Sequence, residues 1–488
     1  MKCLLRYLFG AVFFFAGFSQ ALSLAAGFWI VRRYGPIPAW VIVSNMFESP
    51  SVLPSGDILL LGGAVFAALL YGIVVAWVYT MLCRRLGSRI GSFACVAFTV
   101  LMALVMSLGS AGAFNRLDRW FSIRHEIACR RVKSDYFAKN FHRVEPASVV
   151  FGEHRRNLLV IVSESLEERF AEGALGGENL LPELTEWRRD CFHSDTQCQV
   201  AGASFTAAAL TSMFYGVPRL RLDGSVLRQD SVWYPRFSIP SIWDVFLSHG
   251  YAGAYVHGGK WEFASTGRLF PEHGDLRLLG FDDMCDDPDY LAEPEKETYG
   301  INDEVMFKYL KRETERLLEG EKPFVLFCST INPHCPAGWC SAFVPRGNRG
   351  ILAESILAQD RMIREFLRWF ELQPRAEDTV IVVVGDHFYW GKNFSGRTPR
   401  RVFNAVRVPG ATESPFVRPR RFATFDWAPT FVELAGGRLP GDGRFGMGVS
   451  LLRDTKSLLE AVPEVEFDDL LQSSHADYWD LVLRQGDR

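Results

Sequence analysis

An excess of either charge is nearly absent from this chain of 488 residues: 53 Lys and Arg stand against 56 Asp and Glu, a formal net charge of −3. A nucleic-acid surface needs concentrated Lys and Arg, so nucleic acid is excluded as a partner. No internal repeat, no low-complexity block and no Walker-type phosphate loop occurs, which excludes solenoid architectures and P-loop nucleotide chemistry and leaves one catalytic domain. Cysteine is sparse, ten in all. Cys3, Cys83 and Cys95 lie in or beside apolar runs, and Cys129, Cys191, Cys198, Cys285, Cys328, Cys335 and Cys340 follow. Cys191 with Cys198, and Cys335 with Cys340, are close enough to close small disulfide loops where geometry allows, and an odd number leaves a thiol free. Cys328, inside an apolar run, reads as a small buried hydrophobe rather than a reactive group.

What the chain has is apolar length at its start. Leu8 to Val31, Ile58 to Cys83 and Ile90 to Phe114 are each long enough for a hydrocarbon core that takes about 20 residues. Three transmembrane helices are expected, giving a membrane domain over 1–114. The first run exceeds the roughly 7–15 apolar residues of a signal-peptide core, and two further spans follow it. Lys2 and Arg6 before the first span, and Arg84, Arg85 and Arg89 in the second connection, place both on the cytoplasmic side, so the chain after Phe114 lies outside. Arg32 and Arg33 fall on the wrong side in this topology. Pro36 to Asp57, with Trp40 and Phe47, would be a short outer loop. A basic, partly helical linker follows over 115–154, either solvated or lying along anionic headgroups.

Beyond it, strands alternate with helical patterns, as an α/β domain requires. Four polar sites each end an apolar run or small-residue loop. Glu164 follows Asn157-Leu-Leu-Val-Ile-Val-Ser163, Thr206 closes Gly202-Ala-Ser-Phe-Thr206, His334 follows Phe324-Val-Leu-Phe-Cys-Ser-Thr330, and Asp386-His387 follows Thr379-Val-Ile-Val-Val-Val-Gly385. Val/Ile/Leu runs without alternation are strands covered on both faces, and ligands of such sheets bind beyond the strands' carboxyl ends. A carboxylate, a hydroxyl, an imidazole and an Asp-His pair converging there would make a metal site with a candidate nucleophile. Blander readings stand beside this one: Asp386-His387 capping a turn, Glu164 as a first-turn helix carboxylate, and Thr206 or Ser204 capping the helix that Ala207-Ala-Ala-Leu-Thr-Ser-Met213 starts.

The ordered set, with Ile161-Val-Ser-Glu-Ser-Leu-Glu-Glu-Arg169 and Asp426-Trp-Ala-Pro-Thr430, resembles the alkaline-phosphatase/sulfatase superfamily from about Asn157 to Leu452. Within it the chain is most similar to membrane-bound phosphoglycerol transferases, which include lipoteichoic acid synthases and periplasmic-glucan phosphoglycerol transferases. The resemblance implies a mostly parallel sheet covered by helices on both faces, as a catalytic domain over 155–455 with a carboxy-terminal tail over 456–488. It implies Thr206 as nucleophile, and Glu164, Thr206, Asp386 and His387 as ligands of one divalent metal ion, Mn²⁺ first, with Mg²⁺ or Zn²⁺ as alternatives. His334 resembles the histidine that faces the transferred phosphoryl group and protonates the leaving oxygen. His257, Lys260, Trp261 and Glu262 fall where the family binds the headgroup.

A sulfatase reaction would require Cys or Ser in a Cys/Ser-x-Pro-x-Arg setting; none occurs at Thr206, and Cys335-Pro-Ala-Gly lacks both spacing and Arg. The implied activity is transfer of phosphoglycerol from a phosphatidylglycerol-like membrane phospholipid, through a threonine-linked intermediate, to a cell-envelope glycan. The implied location is a bacterial inner membrane, spanned several times, with the catalytic domain on the periplasmic face. A phosphoethanolamine transferase acting on lipopolysaccharide or glucan is the near alternative. Such enzymes show a Glu-Ser-x-Arg-like first motif and a Cys-Gly-Thr-Ala-Thr-like loop, where this chain has Glu164-Ser-Leu-Glu and Gly202-Ala-Ser-Phe-Thr. A noncatalytic membrane scaffold retaining the fold is the alternative of another class.

Overall fold

A computed structural model describes residues 2–37, 55–89, 91–220, 236–271, 274–290, 300–335, 338–339, 341–344, 347–390 and 399–482. Most of the expected outer loop, and Cys340, lie outside the described residues. The chain divides into a unit that ends at Ile127 and one that begins at Ala128.

The first unit is built on α1 (Lys2–Tyr34), α2 (Ser55–Arg89) and α3 (Ser92–Phe121). All three are long and apolar enough to cross a membrane. Their outward positions, such as Phe66, Trp77, Val100 and Leu108, remain apolar and exposed, which suits a lipid solvent and not water. Inside, Phe13, Tyr79, Cys83 and Met106 pack together. Gln20 Nε2 donates to the Met106 carbonyl at 2.8 Å and to Ser110 Oγ at 2.6 Å, so the polar group on α1 is satisfied by α3.

The second unit is organised by six strands: β1 (Asn157–Ser163), β2 (Ala252–His257), β3 (Leu276–Leu279), β4 (Phe324–Ser329), β5 (Thr379–Gly385) and β6 (Asn404–Arg407). They lie in the order β3-β2-β4-β1-β5-β6, all pairs parallel except β5 with β6. Every residue of β1, β4 and β5 is buried. Successive side chains of a strand point to opposite faces, and the core divides accordingly. Leu158, Val160 and Val162 join one apolar cluster and Leu159 and Ile161 the other. The first cluster is completed by α4 (Thr206–Tyr215), α5 (Ile242–Ser248) and α8 (Trp427–Leu434); the second by α6 (Asp303–Glu319) and α7 (Ile351–Phe370). Helices thus cover both faces, which explains why the strands read as unbroken apolar runs.

Two sequence expectations change here. Cys191 and Cys198 are both free thiols. Cys191 Sγ donates to the Trp187 carbonyl and Cys198 Sγ to Glu464, so each turns to a different neighbour instead of its sequence partner. The segment expected as a tail is folded: Phe467, Leu471, Tyr478 and Val482 are buried in the first core cluster. Cys328 is buried in β4, as its apolar neighbours required.

Candidate active site

Strand register assembles the site. Ser163 pairs with Gly385 and Val162 with Ser329, so β1, β4 and β5 end level, and Glu164 and Asp386 are the next residues of their strands. Glu164, Asp386 and His387 are 3%, 1% and 5% exposed. They offer ligand atoms that all lie within 4.8 Å of one another.

The geometry departs from the blander reading at Thr206 and Glu164, and at Asp386 that reading accounts for one carboxylate oxygen only. Phe205, in extended conformation, occupies the N-cap of α4, and no side chain caps that helix. Thr206 Oγ1 instead donates to Glu164 Oε2 at 3.0 Å and stands 3.4 Å from His387 Nε2. Glu164 leads into a tight turn and not into an α-helix, because Ser165 is left-handed at φ 54°. Its backbone N–H accepts no cap role either; it donates to Thr330 Oγ1 at 2.9 Å. Asp386 uses only Oδ1 for local bonds, accepting from the N–H groups of Ser165 and His387 at 2.7 Å each. Its Oδ2 is buried with no hydrogen bond, 3.3 Å from His387 Nε2.

The electrostatics ask for a cation. Burial first, then the charge of Glu164, push the Asp386 carboxyl up to about 7. Burial opposes the imidazolium of His387, but Asp386 and Glu164 outweigh it and hold its pKa above the ordinary value. His387 Nδ1 faces the Phe388 carbonyl at 2.9 Å, which orients Nε2 toward the carboxylates. A buried carboxylate oxygen without a donor, beside a second carboxylate, an imidazole and a hydroxyl, is a donor set that fits one divalent ion.

The other expected residues are placed less uniformly around this centre. His334 is partly buried; its Nδ1 faces the Cys335 carbonyl at 2.8 Å, and burial holds its pKa below the ordinary value while Glu164 pulls the other way. His257 ends β2 with Nδ1 3.0 Å from Ser329 Oγ, and burial lowers its pKa to about 4. A Cβ on residue 259 would come within 2.0 Å of His257 Nε2, so Gly259 is what admits the ring. Trp261 packs against His257 and Phe270, its indole lying over Gly280. Lys260 Nζ sits 4.7 Å from the centre of the Phe281 ring. Among the described residues no hydrogen bond or ion pair joins Lys260 or Glu262 to the Glu164 cluster.

Several supporting residues had no place in the sequence reading. Besides its N–H, Ser165 donates its hydroxyl to Glu164 Oε1 at 2.6 Å. Glu167, fully buried, accepts from Arg400 Nε at 2.8 Å and from the Tyr389 N–H at 2.9 Å, clamping the turn after His387. Trp390 Nε1 donates to the Ser204 carbonyl at 2.8 Å, joining that turn to the Thr206 loop. The Glu-Ser-Leu-Glu string carried the signal for the first two, since two further polar residues in an apolar context need buried partners.

The family model described as Sulfatase matches residues 156–436, more than half of the chain. The chain belongs to the sulfatase family. Among similar sulfatase-family relatives is phosphoglycerol transferase I of Salmonella typhi, 24% identical over 366 residues, covering 72% of this chain and 46% of the relative. The same values hold for the Salmonella typhimurium protein of that name, so the chain spans about half the length of the curated relatives it matches. Among solved structures, the lipoteichoic acid synthase LtaP from Listeria monocytogenes aligns with TM-score 0.50 and 18% identity, covering 62% of this chain and 77% of its own. The integral membrane lipooligosaccharide phosphoethanolamine transferase A from Neisseria meningitidis aligns with TM-score 0.52 and 15% identity, covering 86% of this chain and 83% of its own. Both likenesses show the fold of the α/β domain.

Proposed function

We propose that this protein is a membrane phosphotransferase that moves phosphoglycerol from a phosphatidylglycerol-like lipid to a cell-envelope glycan through a covalent Thr206 intermediate. The observation that carries the reading is the Thr206 hydroxyl held 3.0 Å from Glu164 and 3.4 Å from His387 instead of capping its helix. The curated relatives' name, phosphoglycerol transferase I, supports glycerol as the transferred headgroup. Glu164, Thr206, Asp386 and His387 would hold one divalent ion, Mn²⁺ first, with Mg²⁺ or Zn²⁺ also suited to the donor set. Bound there, such an ion offsets charge on the nonbridging phosphoryl oxygens and favours the deprotonated hydroxyl.

In the first half-reaction Thr206 Oγ1 attacks phosphorus and its proton passes to Glu164 Oε2, the acceptor it already faces. The phosphorus–oxygen bond to diacylglycerol breaks, and His334, drawn toward its protonated form by Glu164 and the bound phosphate against the effect of burial, would protonate that oxygen. A glycan hydroxyl then attacks the phosphoglyceryl-threonine and gives its proton to the now neutral His334, while Thr206 Oγ1 leaves and recovers its proton from Glu164 Oε2. His257 and Trp261 would line the headgroup side, with Lys260 and Glu262 at its edge. The three apolar helices, with Lys2, Arg6 and Arg84 at cytoplasmic ends, would hold the catalytic unit on the outer face of a bacterial inner membrane beside its donor.

Mass spectrometry of the Thr206 peptide after incubation with phosphatidylglycerol tests this directly. A phosphoglyceryl adduct on Thr206 is expected. A phosphoethanolamine adduct from phosphatidylethanolamine alone would transfer the reading to the other headgroup, and an unmodified Thr206 with donor turnover would replace threonine by water as nucleophile.

A further inference from the structure

The segment beyond the family match reaches back to the nucleophile. Helix 464–472 places Asp468 Oδ1 2.8 Å from the Ala201 N–H, at the start of the Thr206 loop. Farther on, Tyr478 is fully buried, and its hydroxyl donates to the Pro218 carbonyl at 2.9 Å and accepts from the Leu220 N–H at 3.4 Å. Pro218 in turn packs against Gly202. Gly202 is left-handed at φ 80°, a Cβ there would lie 2.8 Å from Pro218 Cβ, and its carbonyl accepts from the Arg219 N–H at 2.8 Å. The loop that leads into α4 and the chain that leaves it are therefore closed on each other and gripped at two points by one segment of two short helices, 464–472 and 476–482.

That segment is itself anchored to the linker that follows the membrane unit. Ser134 N–H donates to the Ser474 carbonyl at 3.0 Å, and Ser474 N–H to the Val132 carbonyl at 2.9 Å. Phe137 meets Tyr478 edge-on with ring centres 4.8 Å apart, and Tyr136 meets Phe467 at 5.9 Å.

We propose that Asp468 and Tyr478 are positioning residues: segment 464–482 is a strap that holds the loop from Ala201 to Thr206 in attacking register, and the linker Val132–Phe141 holds the strap. The inference rests on Thr206 being the nucleophile. Neither side chain contacts the ligand cluster, so both act through the loop backbone, where a displacement of about 1 Å can cost on the order of 100-fold in rate.

The test uses the full chain in phosphatidylglycerol-containing nanodiscs, with two readouts: amide hydrogen exchange of the peptide covering Ala201–Thr206, and the rate of Thr206 adduct formation. Asp468→Ala should raise exchange in that peptide about 10-fold while α6 is unchanged. It should also slow adduct formation about 10-fold with donor KM and metal content preserved. Asp468→Asn keeps a carbonyl acceptor and should restore both. Tyr478→Phe, a change of one hydroxyl that leaves the ring in place, should raise exchange over Gly202 and Arg219. Unchanged exchange in both Asp468→Ala and Tyr478→Phe overturns the strap, as does Asp468→Asn behaving like Asp468→Ala. A parent protein that forms no Thr206 adduct removes the nucleophile assignment, and the exchange data then still decide whether the loop is strapped.

Discussion

Ser165 and Asp386 are locked together: the backbone N–H of the first donates to Oδ1 of the second at 2.7 Å, from positions just beyond the ends of adjacent strands. The left-handed φ of 54° at Ser165 aims that N–H, at a backbone cost of about 1 kcal/mol or more for a residue with a Cβ. The same residue's hydroxyl donates to Glu164 Oε1, so one strained serine sets the angle of two carboxylates. Ser165→Ala should therefore weaken divalent-metal binding about 10-fold without unfolding the domain. Calorimetric titration with Mn²⁺ would show it, and equal affinity in parent and variant would count against the role.

Metal retention and covalent chemistry separate in different variants. Asp386→Asn and Glu164→Gln would each remove an anionic member of the proposed ligand set and should lose bound metal, read by elemental analysis, together with turnover. Thr206→Ala would keep three of the four proposed ligands and should retain much of the metal while losing donor cleavage entirely; Thr206→Ser should keep part of the activity. Thr206→Ala cleaving donor near the parent rate would exclude covalent catalysis by this residue.

The buried histidine at the end of β2 makes the fold sensitive to acid. Burial lowers the His257 pKa from 6.5 to about 4, so between those values the unfolded chain binds a proton that the folded chain refuses. Stability due to this group is complete above pH 6.5 and is lost as pH falls toward 4, by up to about 3 kcal/mol at 1.36 kcal/mol per unit. Thermal unfolding from pH 7 to pH 4.5 should show a smaller loss of Tm in His257→Gln than in the parent. Parallel curves would mean that other groups govern the acid limb.

Gly385 couples the sheet to the site by close approach. A Cβ there would lie 2.2 Å from the Leu166 carbonyl oxygen and 2.9 Å from Val402. Gly385→Ala must then push the end of β5 away from the turn after β1, carrying Asp386 with it. A loss of about 2–3 kcal/mol in denaturant unfolding is expected, together with weaker metal binding. A variant with normal metal affinity would show that the strand end can yield without moving its ligand.

The parts of the molecule that the sequence displayed openly were those governed by local pattern. Strands β1, β4 and β5 stood out because both of their faces are covered, which removes the polar alternation that would have blurred them. Glu164 and Asp386-His387 were legible because polar groups that interrupt such runs must have partners. Ser165 and Glu167 showed only as polar residues in an apolar setting, and their partners Asp386 and Arg400, like Trp390, were hidden because they come from the far side of the chain and no spacing announces them. The carboxy-terminal segment was misjudged for the same reason. Its short helices have little periodicity, and only contact with Ala201, Pro218 and the Val132–Phe141 linker reveals that Phe467 and Tyr478 belong to the core. The Cys191–Cys198 expectation failed because closeness in sequence does not fix where a thiol points.

Strand order also governs when the site can exist. β1 sits between β4 and β5, and the bond from Ser165 to Asp386 spans 221 residues of chain. Such distant parallel pairings form slowly, because a long loop must be closed before any contact rewards it. During synthesis Glu164 emerges early and waits, and no ligand cluster forms until the stretch from Thr379 to His387 has been made and inserted beside β1. Metal capture would thus come only after most of the chain has been made, and a chain interrupted anywhere before Thr379 lacks half of the cluster that Glu164 would complete.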